Sequence, residues 1–312
     1  MLNGKKFKSS DNMTDIYYVE HLPKTAPKAC LIIAHGIGEH TGRYNEISDF
    51  MVQNEVAVFV FDFIGHGQSV SPQKAPMYFG ENGWDFLVKD LITLNAIVKN
   101  KYPDTPCFIF GFSMGSFVLR TALAENAKEL KVDGAILAGT GTISAVMANI
   151  VKMLISSEAK KCGGADKISE KVNELAFGNY NKYFKPAKTN FDWLCKNEVL
   201  LQEYIDDTKS SKVITPGLFS DLLSGMARSS KKSAIKNTKK VPLLFLFGEE
   251  DPVGNFGKSV RKLANKFREN NFRVVCKSYS ESRHDILHDN DQEMVYVDMY
   301  EWMMKVLSKK TR

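Results

Sequence analysis

The chain is 312 residues long, enough for one large α/β domain or for a core domain with an insertion. Its hydrophobic share of 44% can fill a substantial core, yet no apolar run approaches the ~18 residues that a membrane span requires. The net charge is +6, but the lysines are scattered and none of their small clusters (Lys231-Lys232, Lys239-Lys240, Lys309-Lys310) interleaves with aromatics, so no nucleic-acid partner is indicated.

The chain starts with a polar, lysine-rich stretch, residues 1–10, that lacks the apolar segment of a signal peptide, and a soluble cytoplasmic protein is expected. Polar-apolar alternation around 16–19 suggests antiparallel edge strands. Short apolar runs at 29–34, 56–62, 107–110, 134–137, 243–247 and 272–276 then alternate with helix-compatible segments at 44–53, 84–100, 116–128, 256–270 and 292–307. Such alternation predicts a mostly parallel sheet flanked by helices. The rhythm fails between about 140 and 240, so the chain divides into a first core part (1–139), an insertion (140–240) and a second core part (241–312). Inside the insertion Val146, Met147, Ile150, Val151, Leu154 and Ile155 recur at helical spacing as one apolar stripe. Such a stripe ordinarily packs against the body of a protein; the alternative is a helix over a site mouth that offers apolar surface to a lipid or a membrane.

The five cysteines (30, 107, 162, 195 and 276) are odd in number and contain no C-x-x-C pair, so neither a disulfide framework nor a zinc site is expected. Cys30, Cys107 and Cys276 belong to apolar runs and are expected in the core. Cys195 is expected to pack, with a place in a pocket wall as the alternative.

Residues Gly111-Phe-Ser-Met-Gly115 follow directly on the apolar run Cys107-Phe-Ile-Phe110 and precede a helical segment. A G-x-S-x-G at a strand–turn–helix junction is a nucleophile elbow, which makes Ser113 the candidate nucleophile. The flanking glycines are expected to clear the approach to its hydroxyl. An acid should follow a later strand, and Gly248-Glu-Glu-Asp-Pro252 follows the run 241–247. Asp251 is favoured because Pro252 pins the turn, with Glu249 and Glu250 as competitors and a helix N-cap as its structural reading. A histidine should follow one more strand. His284 in Ser282-Arg-His-Asp285 fits, with His288 as competitor, read as a solvated or capping residue. The order Ser, Asp, His is that of α/β-hydrolases. An oxyanion hole would then use the amide of Met114, after the nucleophile, and that of Ile37 in the loop His35-Gly-Ile-Gly-Glu-His40. His35 is read as bracing that loop.

These motifs, with Asp62-Phe-Ile-Gly-His-Gly-Gln-Ser69 and Phe191-Asp-Trp-Leu194, resemble the motif series of the monoacylglycerol lipase and lysophospholipase family, of the α/β-hydrolase fold, over nearly the whole chain. The resemblance implies a helical cap inserted after the strand that follows the elbow helix. It implies a Ser113–Asp251–His284 triad with Ile37 and Met114 at the oxyanion hole, hydrolysis of single-chain lipid esters, and no cofactor or metal. It brings a small-molecule lipid ester as partner and transient membrane contact through the cap. Separately from the resemblance, Met147, Met153, Phe191, Trp193 and Phe219 are candidates to hold an acyl chain, with plain core packing as the commoner reading of such residues. Bulky Ile37 and Ser282 stand where smaller residues are common in that family. Three other readings remain: a dinucleotide-dependent oxidoreductase using Gly36, Gly38 and Gly42 with Asp62 on the ribose, a same-fold aminopeptidase, and a non-catalytic binding protein.

Overall fold

The computed structural model describes residues 4–309. Its strands are β1 (Lys5–Lys8), β2 (Asp15–His21), β3 (Ala29–Ala34), β4 (Val56–Phe61), β5 (Cys107–Phe112), β6 (Gly134–Ala138), β7 (Leu243–Gly248) and β8 (Val274–Tyr279). They form one sheet in the order β1-β2-β4-β3-β5-β6-β7-β8. β1 and β2 are antiparallel, as is β2 with β4; every other pair is parallel. Parallel strands must be covered on both faces, which is why β3 to β7 read as unbroken apolar runs, and every residue in them is buried. Helices Gly83–Lys101, Met114–Glu125 and Lys258–Glu269 cover one face; Asn45–Gln53 and Gln292–Ser308 cover the other. This is the mostly parallel, helix-flanked sheet expected from the alternation, and the α/β-hydrolase architecture that the motif resemblance implies.

Three elements differ from the sequence reading for local reasons. β5 runs on through Gly111 and Phe112, and the next helix starts at Met114 instead of Ser116, because the elbow uses a single residue to turn. β8 starts at Val274 and is an edge strand with half-exposed side chains, so Cys276 is only partly buried, whereas Cys30 and Cys107 are fully enclosed. The helix after β7 starts at Lys258 behind Gly257, which leaves Asp251 off its N-cap.

Between β6 and β7 the described chain contains helices and no strand. They are Ala145–Lys161, Glu170–Asn173, a π turn Glu174–Gly178, a 3-10 turn Tyr180–Tyr183, Glu198–Asp206, Pro216–Ser230 and Lys232–Asn237. The apolar stripe of the first of these is divided. Ile155 is buried and Val151 half-buried, but Val146, Met147, Ile150, Met153 and Leu154 are exposed, Val146 and Met153 by more than two thirds. The ordinary packing of the whole stripe therefore does not hold. Among the described residues no helix is long and apolar enough to cross a membrane.

The parallel register brings the carboxyl ends of the strands into line: Ala34 lies beside Gly111, Phe112 beside Ala138, and Ala138 beside Leu246. Loops after β3, β5, β7 and β8 consequently meet at one edge, where open α/β sheets carry their ligands.

Candidate active site

Ser113 is the single residue between β5 and its helix, with φ 47° and ψ −114°. A side-chain-bearing residue held there stores about 1–3 kcal/mol of strain, which the surrounding packing has to sustain. The flanking glycines show how. A Cβ on Gly115 would lie 2.1 Å from the Ala34 carbonyl oxygen, and one on Gly111 would lie 2.6 Å from the Gly115 carbonyl oxygen. They let the elbow close on itself and on β3.

The Ser113 hydroxyl lies 3.0 Å from His284 Nε2, and His284 Nδ1 lies 3.0 Å from Asp251 Oδ1. Asp251 is buried and His284 2% exposed, while the serine faces a cavity. Asp251 Oδ1 also accepts from the Val253 amide at 2.8 Å, which fixes the carboxylate in its turn. Phe112 and Trp193 pack against the imidazole in tilted geometry, with ring centroids 5.0 and 5.3 Å away. Burial alone would make His284 harder to protonate, but the Asp251 carboxylate, with smaller contributions from Asp285 and Glu39, outweighs it, and the imidazole is raised above its ordinary range. This arrangement can pass a proton from the serine to the imidazole and stabilise the cation that forms. The competing acids are elsewhere: Glu249 accepts from Ser278 Oγ, and Glu250 pairs with Lys196 on the surface.

Two backbone amides complete the constellation. Met114 is the first residue of its helix, so its N–H has no acceptor within the helix, and the helix dipole adds partial positive charge there. The Ile37 N–H likewise donates to no other described residue. Ile37 and Ser113 line the same cavity. His35 braces the loop that carries Ile37. Its Nε2 accepts from the Phe63 amide at 3.0 Å and its Nδ1 donates to the Gly36 carbonyl at 2.6 Å, with burial pushing the imidazole down to about 3.

The sequence reading missed a buried network beside this group. Glu39 accepts from the Gly36 amide, Tyr44 Oη and Arg43 Nε; Arg43 also donates to Asp285 at 2.7 Å, and Asp285 accepts from His288 Nδ1 at 2.9 Å. His288 Nε2 donates to the Arg43 carbonyl, so His288 is neither solvated nor a cap but a strut between the two loops. Glu39, Asp285 and His288 are close enough together to suggest a metal site, yet their carboxylates are already committed to Arg43. The spacing Glu39-x-x-x-Arg43 was a visible signal, but its partners lie 242 residues away. Arg43→Met is expected to lower unfolding free energy by about 3–5 kcal/mol, because it strands two buried carboxylates. Urea denaturation of the variant against the parent measures this.

The cavity above Ser113 is about 330 Å³ and mostly apolar. Phe191, Trp193 and Phe219 line it, together with Val151, Leu222 and Leu223. Met147 and Met153 do not; both point to the outside of their helix. Cys195 packs, its thiol against the His288 carbonyl, and has no place in this wall.

The oxidoreductase alternative fails on geometry. Asp62 accepts from the Thr41 amide at 2.6 Å and the Gln68 amide at 2.7 Å, and clamps two loops together instead of facing a ribose. Gly38 is closed off by the Ser211 carbonyl, 2.3 Å from where its Cβ would stand, and the loop leads into a one-turn 3-10 helix instead of directly into the long helix of a dinucleotide fingerprint.

Comparison with known proteins agrees with this geometry. Residues 25–291 match the family described as serine aminopeptidase, S33. A monoglyceride lipase of Rattus norvegicus is 36% identical over 104 residues, which is 33% of this chain and 33% of that protein. The matched part thus spans about a third of the rat enzyme's length. A monoacylglycerol lipase of Mycolicibacterium smegmatis is 23% identical over 298 residues, 94% of both chains. Among solved structures, a thermostable carboxyl esterase from Bacillus coagulans, in complex with glycerol, superposes with a TM-score of 0.89 over 98% of both chains at 22% identity.

Proposed function

Since the chain belongs to the serine aminopeptidase S33 family of α/β-hydrolases, we propose that it is a serine hydrolase that cleaves single-chain lipid carboxylic esters, with monoacylglycerol as the leading substrate. The observation that carries this reading is the hydrogen-bonded series Ser113–His284–Asp251 under an apolar cavity. In the proposed reaction His284 Nε2 takes the hydroxyl proton as Ser113 Oγ attacks the ester carbonyl. Asp251 holds the tautomer and stabilises the imidazolium. The Ile37 and Met114 amides receive the oxyanion. His284 then protonates the leaving alcohol, an acyl-enzyme remains on Ser113, and water activated by the same imidazole releases the fatty acid.

The ester reading is preferred over the aminopeptidase reading on charge. A free N-terminal ammonium needs an unpaired carboxylate, and the two that line the cavity, Glu39 and Asp285, are both spent on Arg43. The same-fold binding protein is disfavoured by the hydrogen-bonded serine.

In this reading residues 140–240 act as the cap, and the exposed face of Ala145–Lys161 is its lipid contact. Val146, Met147, Ile150, Met153 and Leu154 turn outward, and Lys160 and Lys161 end the same exposed face in a pattern suited to a bilayer interface. The test has two arms. Fatty-acid release from monoacylglycerol should exceed turnover of aminoacyl anilides by orders of magnitude; the reverse ranking overturns the ester reading. Ile150→Glu with Leu154→Glu should cut turnover of bilayer-dispersed monoacylglycerol by about tenfold or more, through the ~1.4 kcal/mol or more lost per decade of binding, and leave a water-soluble p-nitrophenyl ester unaffected. Equal loss on both substrates removes the lipid-contact assignment.

A further inference from the structure

The loop that carries the Ile37 amide is mounted from two sides. Its first half is fixed by the core: the Gly36 amide donates to Glu39 Oε2 at 2.7 Å, and the His35 carbonyl accepts from the Gly115 amide at 3.2 Å. Its second half is fixed by a turn of the helical segment between β6 and β7. The Ser211 amide donates to the Gly38 carbonyl at 2.8 Å, and Gly38, with φ +76°, is pressed so closely on Ser211 that no side chain fits between them. Two residues on, His40 Nε2 lies 2.7 Å from Asp207 Oδ2. His40 Nδ1 accepts from the Gly42 amide, which makes Nε2 the protonated nitrogen and the donor to Asp207.

Asp207 builds the turn that it anchors. Its Oδ2 also accepts from Ser210 Oγ at 2.6 Å and its Oδ1 from the Lys209 amide at 2.9 Å, while the Lys212 ammonium closes the turn on the carbonyls of Asp207 and Ser210. Burial opposes ionisation of Asp207, but the Ser210 and His40 hydrogen bonds outweigh it and hold the carboxyl at about 2. One carboxylate therefore shapes the 207–212 turn, seats Ser211 on Gly38 and grips His40, with Ile37 one residue from the first contact.

We propose that Asp207 is a positioning residue for the oxyanion hole: through His40 and the Ser211–Gly38 contact, the segment between β6 and β7 sets the placement of the Ile37 amide. Donor placement within about 0.5 Å decides whether such an amide stabilises an oxyanion, so a loosened loop costs rate without costing substrate binding. This inference rests on the ester-hydrolase reading given above.

The test compares the parent, Asp207→Ala and Asp207→Asn on a soluble short-chain p-nitrophenyl ester, with a trifluoromethyl ketone as oxyanion mimic and a fatty acid as ground-state ligand. Asp207→Ala should lower kcat about tenfold or more, within the 10²–10³ set by loss of a whole donor, with KM within twofold. The ketone should bind more weakly by the same factor as kcat/KM falls, and the fatty acid should bind unchanged. Asp207→Asn keeps one acceptor oxygen, which can serve both His40 and Ser210, but turns its NH2 toward the Lys209 amide, and should recover part of the rate. An Asp207→Ala protein with parental kcat, or one whose loss falls equally on fatty-acid and ketone binding, overturns the proposal while the hydrolase reading stands. A parent protein that does not turn over the ester removes the reading and the inference together.

Discussion

Ser113→Ala is expected to lower kcat on a monoacylglycerol by about 10⁴–10⁶-fold, with KM and the unfolding transition close to those of the parent. The size follows from the proposed chemistry. Without Oγ no acyl-enzyme can form, and what remains is catalysis of direct water attack by the Ile37 and Met114 amides and by orientation of the ester. That residue of rate is typically 10³–10⁴ over the uncatalysed reaction. Stability should hold, because among the described residues Ser113 Oγ hydrogen-bonds only to His284 and lines the cavity. Fatty-acid release followed by titration, beside a thermal melt, measures both. A variant that retains a tenth of the parental rate would place the nucleophile elsewhere.

Asp251→Asn is expected to lower kcat about 10⁴-fold by allowing the wrong imidazole tautomer, with the geometry of the three residues intact. It should also change the pH profile in a direction that the structure fixes. His284 must be neutral to accept the serine proton. Its burial pushes protonation to lower pH, and the Asp251 carboxylate, joined by Asp285 and Glu39, overrides this and raises it above the ordinary imidazole range. In the parent, activity therefore fades as pH falls through a value above that range. In Asp251→Asn the largest opposing charge is gone, and Asp285 and Glu39 remain as weaker ones, so the acid limb moves to lower pH while the maximum rate drops. The pH dependence of kcat/KM for parent and variant measures this. An acid limb that stays in place means that the imidazole titrating in the profile is not His284 beside Asp251.

The parts of the fold that could be read from the sequence are those governed by local rules. Cys107-Phe-Ile-Phe110 reads as a buried strand because both faces of a parallel sheet are covered, and the elbow motif then assigns Ser113 its turn. Asp251 and His284 follow from chain order, each one strand later, and the structure brings both within 3.0 Å contacts of the expected series. Asp251 was separable from Glu249 and Glu250 only through Pro252. What could not be read depends on pairings between distant residues. His288 resembled a solvated histidine until the loop after β3, which carries the Arg43 carbonyl, was placed beside it. Phe191-Asp-Trp-Leu194 carried no structural meaning alone; in the fold Asp285 donates its amide to the Leu194 carbonyl and Arg283 binds the Asp192 and Cys195 carbonyls, so this segment fixes the loop that holds His284. The stripe in 145–161 gave the right helix and the wrong burial, because periodicity reports that a face is apolar and not what it meets.

The most direct test of Ser113 as the nucleophile of a lipid-ester hydrolase is stoichiometric labelling with a fluorophosphonate, with the modified peptide mapped by mass spectrometry and monoacylglycerol turnover followed on the same samples. The expected result is one adduct per chain on Ser113, none in Ser113→Ala, and turnover that falls in proportion to the labelled fraction. An adduct on another residue, or full turnover in fully labelled protein, would contradict it.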